Sequence, residues 1–351
     1  MVQFVDVRNI VDLVADLGIE TVFAGLTRYI EDDFRRWPAF EKVARIASHS
    51  GAGVIELMPA SDGEHYGFKY VNGHPSNTRE GLQTVTAFGV LSDVRTGYPL
   101  FFSEMTITTA LRTAATSALA AKYLARPDAR TMAIIGLGAQ SEFQALAFRA
   151  LTGIRALRVF DLDPATEVKF LANLAPFDLE VTCCASAAEA VLGADIITTV
   201  TADKLKATIL SDNMVGAGVH INAVGGDCPG KTELQREILH RASVFVEYTP
   251  QTRIEGEIQQ MGPDFPVTEL WEVITGARQG RRFADEITLF DSVGFATEDF
   301  SALRYLRDQV QGTRHFSVLN LLAEPQDPRN LFGVLNANVR GPAFARHAGA
   351  A

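Results

Sequence analysis

Asp227 is the residue best placed in this sequence to move a proton. It follows His220-Ile-Asn-Ala-Val-Gly-Gly226, which reads as a buried strand and a glycine turn. α/β enzymes gather their sites at the carboxyl ends of strands. A carboxylate there can take a proton from a substrate amine and return it later. The alternative is a helix cap ahead of Pro229-Gly-Lys231. Three basic residues lie where a solvated cation is unexpected. Arg45 and Lys69 fall on strand-like segments and Arg112 in a run of small residues, each with apolar or small neighbours. A buried cation needs an anion. A substrate carboxylate gripped by an arginine is one candidate; three separate surface or salt-bridged cations are the plainer reading. Glu56, mid-strand in Val54-Ile-Glu-Leu-Met, could hold a substrate ammonium or simply face solvent. His74, in Asn72-Gly-His-Pro75, reads as a turn residue.

A second constellation grips a nucleotide. Thr131-Met-Ala-Ile-Ile-Gly-Leu-Gly-Ala-Gln-Ser141 reads as a strand, a tight turn and the start of a helix. Gly136 permits the turn and Gly138 lets the backbone approach a pyrophosphate, which then meets the free N–H groups of the helix. The next strand, Ala156-Leu-Arg-Val-Phe160, ends on Asp161. That carboxylate can accept both ribose hydroxyls and would repel a 2′-phosphate, so NAD is favoured over NADP. Ser141 stands where the third glycine of the usual pattern would be.

These residues need elements to hold them. Residues 6–36 read as two helices parted at Gly18. From 44 to 97, short strand-like segments alternate with turns, Pro99-Leu-Phe-Phe-Ser103 adds one more, and 93–99 reads as a hairpin turn, so one mixed or antiparallel sheet is expected. Residues 106–125 turn helical again. From 131 to about 300, strands and helices alternate. The expected class is α/β: a Rossmann-type NAD-binding domain over 126–311, and a discontinuous α+β domain over 1–125, to which the 312–351 tail returns. A cleft between the two would receive the nicotinamide.

The whole chain sets limits. Its 351 residues, 47% hydrophobic and 21% charged, suit a globular protein of about two domains. A net charge of −10 argues against nucleic acid as the main partner. No apolar run approaches the ~18 residues of a membrane span, and no secretory signal is visible at the start. Three cysteines, two of them adjacent, make no disulfide framework, so a reducing cytoplasm is the simplest setting. No CxxC or HExxH pattern points to a metal site.

Several stretches together resemble the ornithine cyclodeaminase/mu-crystallin family. They are Arg45-Ile-Ala-Ser-His-Ser, Val54-Ile-Glu-Leu-Met-Pro, Phe68-Lys-Tyr-Val-Asn-Gly-His-Pro and Thr109-Ala-Leu-Arg-Thr-Ala-Ala-Thr-Ser. Further along stand Gly136-Leu-Gly-Ala-Gln-Ser-Glu-Phe, Asp195-Ile-Ile-Thr-Thr-Val-Thr-Ala-Asp, Asn222-Ala-Val-Gly-Gly-Asp-Cys-Pro-Gly-Lys-Thr-Glu-Leu, Gln251-Thr-Arg-Ile-Glu-Gly-Glu-Ile-Gln-Gln and Phe290-Asp-Ser-Val-Gly-Phe-Ala. The 225–234 and 251–260 blocks look like the cyclodeaminase branch. The resemblance implies an ammonia-lyase that turns L-ornithine into L-proline and ammonia by internal NAD-dependent hydride transfer and ring closure. A lysine cyclodeaminase, an amino-acid dehydrogenase or a ketimine reductase are the family's alternatives. It implies that Arg45, Lys69 and Arg112 engage the substrate carboxylate, that Asp227 is the acid/base, that Val293 lines the pocket and that Glu56 faces an amine. For NAD it implies Thr84, Arg112, Gly136, Gly138, Ala139, Gln140, Asp161, Thr201, Ile221, Asn222, Ala223, Val224, Lys231 and Ser292. Ser141 is then ordinary. A homodimer formed through the first sheet is also implied.

Overall fold

The computed structural model describes residues 1–202 and 207–339. Asp203, which ends the Asp195 stretch, and residues 340–351 of the tail lie outside the described residues.

The chain opens with strand β1 (Val2–Val5) and helices α1 (Val7–Leu17) and α2 (Ile19–Arg35). Asp6 caps α1 by accepting from the Asn9 N–H at 2.8 Å. Gly18, at φ +82°, separates the two helices. Strands β2 (Glu41–Lys42), β3 (Ile46–His49), β4 (Val54–Ser61), β5 (His65–Gly73), β6 (Ala87–Asp93) and β7 (Pro99–Glu104) follow, then helix α3 (Thr106–Leu124).

The second run comprises β8 (Thr131–Ile135), α4 (Ser141–Thr152), β9 (Ala156–Phe160), α5 (Pro164–Leu174), β10 (Glu180–Cys183), α6 (Ala187–Val191), β11 (Ile196–Thr199) and β12 (His220–Ala223). It continues with α7 (Arg236–Arg241), β13 (Ala242–Val246), α8 (Thr249–Glu255), β14 (Thr268–Glu269), α9 (Leu270–Ile274) and β15 (Ile287–Asp291). Helix α10 (Ala296–Val310), strand β16 (Ser317–Leu319) and helix α11 (Leu331–Val339) complete the described chain.

Two sheets result. The first runs β16-β1-β7-β6-β5-β4-β2, with β3 also on β4; it is antiparallel except where β1 lies parallel to β7. The second runs β10-β9-β8-β11-β12-β15-β13-β14 and every pairing is parallel. Its order reverses between β8 and β11, the point where such sheets open a crevice for ligands.

Burial alternates along β4 and β5, so one face of the first sheet is covered. The cover is α10, which packs on β4, β5 and β6 and also on α2 and α3. Thus α10, which lies within the 126–311 segment, packs against the first sheet. Strand β16 then pairs with β1. β1 itself carried no readable pattern, being four residues long and held by partners about 100 and 300 positions away. The chain from Asp227 to Gln235 is loop, so no helix starts at Pro229-Gly-Lys231 and the next one begins at Arg236. Among the described residues, no helix is long and apolar enough to cross a membrane and no group of three His, Cys, Asp or Glu could hold a metal ion.

Candidate active site

The strand period of two decides which side chains meet under α10. Glu56 on β4 and Lys69 on β5 fall on the covered face, with 6% and 1% of their surface exposed. The solvent-facing alternative for Glu56 is therefore not what the sheet produces. Lys69 Nζ lies 2.8 Å from Asp299 on α10. The same carboxylate sits 2.9 Å from Arg112 Nε, while Arg112 Nη1 donates to Glu298 at 2.6 Å. Arg45 enters from the other side. Its Nη1 donates to Glu56 at 3.0 Å, its Nε is 3.0 Å from Glu255, and its Nη2 donates to the Val293 and Gly294 carbonyls at 2.6 and 2.7 Å. Gly294 must be glycine: its φ is +72°, and a Cβ would lie 2.7 Å from Arg112 Nη1.

Arg45, Lys69, Arg112, Glu56 and Val293 are therefore one cluster, not three separate surface cations. Its charges are tightly coupled. Burial, then repulsion from Arg112, pushes the Lys69 ammonium down to about 8, with Asp299 opposing. Burial pushes Glu255 up to about 7 and Glu298 up to about 8, although Arg45 and Arg112 respectively pull them down. Burial works against charge on Arg45 and Arg112, yet the surrounding carboxylates keep both above the ordinary arginine value. Sequence reasoning missed Glu255, Glu298 and Asp299. They lie on α8 and α10, and only the first belongs to a stretch singled out beforehand. Their signal was weak: Thr297-Glu-Asp299 looks like an ordinary acidic first turn.

Asp227 stands on the loop after β12, with 57% of its side chain exposed. It caps no helix, since the next one begins at Arg236. Lys231 Nζ approaches it to 3.7 Å and donates to the Thr201 carbonyl at 2.8 Å. The Asp227 charge is felt at Arg45 and Glu255, which places this loop beside the cation cluster.

The nucleotide cradle lies at the reversal of the second sheet. Gly136 has φ +97°, and a Cβ there would come within 3.0 Å of the Val200 backbone. Gly138 faces open space, Ala139 is exposed, and α4 begins at Ser141 without a side-chain cap. Gln140 donates to the Ala110 carbonyl at 3.0 Å. Asp161 accepts from the Leu137 N–H at 2.5 Å and the Asp163 N–H at 2.9 Å, fixing the carboxylate at the strand end. A turn too tight for a side chain, followed by an uncapped helix start and an anchored acid, fits a dinucleotide.

The remaining candidates are placed as follows. Thr201 donates its N–H to Glu233 at 3.0 Å, and Ser292 Oγ donates to Glu247 at 2.7 Å. Ile221 and Ala223 are buried in the core on one side of β12. Asn222 is also buried, with Nδ2 donating to Thr198 at 3.3 Å, and half-buried Val224 follows the strand. Thr84 lies on the loop between β5 and β6, its carbonyl accepting from the His74 N–H at 2.8 Å.

A model of the ornithine cyclodeaminase/mu-crystallin family matches residues 7–314. The chain belongs to that family. Within it, an ornithine cyclodeaminase from Agrobacterium fabrum is 65% identical over 349 residues, covering 99% of this chain and 98% of the relative. Among solved structures, a lysine cyclodeaminase described for its recognition of L-lysine, L-ornithine and L-2,4-diaminobutyric acid has a TM-score of 0.87 at 30% identity. It covers 93% of this chain and 97% of its own. An archaeal alanine dehydrogenase dimer with bound NAD has a TM-score of 0.84 at 29% identity, over 92% and 99%. These two solved structures, with different enzyme names, share the fold of this chain.

Proposed function

We propose that this chain converts L-ornithine to L-proline and ammonia with NAD used catalytically. The observation that carries the reading is the convergence of Arg45, Lys69, Arg112 and Glu56 under the Val293–Gly294 turn, beside the Asp227 loop. Similarity to an ornithine cyclodeaminase along nearly the whole chain supports the substrate. The lysine cyclodeaminase and the alanine dehydrogenase are about half as similar by identity.

In this reading the three cations hold the α-carboxylate by exchanging part of their contacts with Glu255, Glu298 and Asp299. Arg45 Nε, Arg112 Nε, Glu255 Oε2 and Asp299 Oδ2 are buried without an aligned hydrogen-bond partner. A zwitterionic ligand offers partners of both signs. Glu56 faces a substrate ammonium. Asp227, near both the cluster and solvent, takes a proton from the α-amine and later gives one to the departing ammonia. NAD, when bound, supplies a hydride acceptor that returns what it took, so the net reaction is redox-neutral. Thr84, Arg112, Gly136, Gly138, Ala139, Gln140, Asp161, Thr201, Ile221, Asn222, Ala223, Val224, Lys231 and Ser292 would hold it, in this reading. The substrate's own side-chain amine closes the ring. Orientation of such an internal attack is worth up to ~7–11 kcal/mol.

The division of labour is part of the proposal: 126–311 holds NAD, while 1–125 with the returning tail binds substrate and forms a homodimer. The outer face of the first sheet supports the dimer, since Tyr70 stacks on Phe88 (4.8 Å), Phe88 on Phe102 (5.4 Å), and Phe4 lies 5.5 Å from Phe102. Ornithine deuterated at Cα tests the internal cycle. The label is expected at proline Cα; loss of the label to solvent contradicts the reading.

A further inference from the structure

Among the described residues, Asp227 has one ion-pair partner, Lys231 at 3.7 Å, and its side chain is half in solvent. At 3.7 Å the Lys231 contact is a loose one, so the backbone that carries Asp227 matters for where its carboxylate stands. The loop that carries it is held by a chain of buried groups to which the reaction assigns no role. Asp291, at the end of β15, accepts from the Glu257 and Ile258 N–H groups at 2.8 and 2.9 Å. That seats the turn Glu257–Gln260. The turn then reaches the loop with three side chains. Glu257 accepts from the Glu233 and Leu234 N–H groups at 2.6 and 3.1 Å. Gln259 accepts from the Gly230 N–H at 2.6 Å and donates to the Lys231 carbonyl at 2.9 Å. Gln260 donates to the Leu234 carbonyl at 3.1 Å. Finally Glu233 accepts from the Gly225 N–H at 3.1 Å and from the Thr201 N–H at 3.0 Å.

The fit leaves no slack. A Cβ on Gly225 would come 2.1 Å from the Glu233 carboxylate, one on Gly226 2.7 Å from Glu257, and one on Gly256 2.6 Å from Asp291. Each of the three carboxylates, Glu233, Glu257 and Asp291, thus lies against a glycine where a side chain would collide with it. Burying carboxylates is costly unless their lone pairs are used, and here they are used on the N–H groups of Thr201, Gly225, Glu233, Leu234, Glu257 and Ile258, which tie the loop carrying Asp227 to the second sheet. This gives the 225–234 and 251–260 stretches a shared physical purpose.

We propose that Asp291, the Glu257–Gln260 turn and Glu233 form a clamp that positions the Asp227 loop, and with it Thr201, for proton transfer. These are positioning residues; none is argued to touch substrate. The proposal rests on the assignment of Asp227 as the acid/base.

The test compares Glu233→Gln, Gly225→Ala and the double variant, using the full-length chain with NAD. Each single change is expected to lower kcat for ornithine about tenfold or more, as small misplacements of catalytic groups do, with KM for ornithine little altered. The double variant should be no worse than the poorer single, because both break one contact. Hydrogen exchange gives a readout that needs no turnover: amides of 225–231 should exchange faster in both singles while those of β8 and β9 keep their protection. Gln259→Ala, at a half-buried position, repeats the measurement should Glu233→Gln fail to fold. Unchanged exchange at 225–231, additive losses in kcat, or loosening spread evenly over the second sheet would overturn the clamp. Failure of the functional reading shows separately, as absence of ammonia release by the unaltered chain.

Discussion

At the residue scale, one exposed carboxylate is asked to do the proton work while buried cations hold the substrate. Asp227→Asn should keep the fold and NAD binding and lose nearly all proline formation, measured as turnover beside an NAD titration. Near-normal turnover would contradict its role. Lys69 supplies a pH signature. Its ammonium is pushed down to about 8, so it is charged below that pH and neutral above it. The free enzyme should therefore hold the ornithine carboxylate less well as pH rises through about 8, and kcat/KM should fall on that side. A kcat/KM that climbs steadily to pH 10 would count against Lys69 as an anchor. The three cations stood out in the sequence because a solvated charge is unexpected beside apolar and small neighbours, yet separate surface or salt-bridged cations were the plainer reading and only the family resemblance joined them. Their internal partners did not stand out, because Glu255, Glu298 and Asp299 come from helices whose other face gives no hint of what they meet.

At the element scale, the second sheet was readable because strand, glycine turn, helix and terminal acid follow each other locally. The prediction here concerns the turn itself. Gly136→Ala forces a side chain onto φ +97° and against the Val200 backbone, at a cost of about 1 kcal/mol or more. NAD affinity should fall, and the rise in melting temperature that NAD gives by mass action should shrink; an unchanged NAD-induced rise would show that the turn is not the cradle. What the sequence hid at this scale depends on distant pairing. β1 is a strand only because β7 and β16 flank it. α10 reads as a plain amphipathic helix, yet it is the cover that brings Glu298 and Asp299 onto Lys69 and Arg112.

At the scale of the whole molecule, the site draws on both sheets: Arg45, Glu56, Lys69 and Arg112 from the first segment, Glu255, Val293 and Gly294 from the second, and α10 between them. The proposed dimer uses the opposite face of the first sheet. Phe88 is 37% exposed in the middle of its aromatic row, and exposed apolar rows of this kind mark contact surfaces. Phe88→Glu should shift the protein towards monomer in sedimentation velocity while NAD binding persists; an intact dimer would move the interface elsewhere. The central claim, that NAD is a catalyst and not a co-substrate, is tested most directly by stoichiometry. Ornithine is supplied in large excess over NAD⁺, and proline, ammonia and absorbance at 340 nm are followed together. The account predicts equal proline and ammonia, many turnovers for each NAD, and no accumulation of NADH. NADH rising in step with ammonia, or product limited to the NAD supplied, would contradict it.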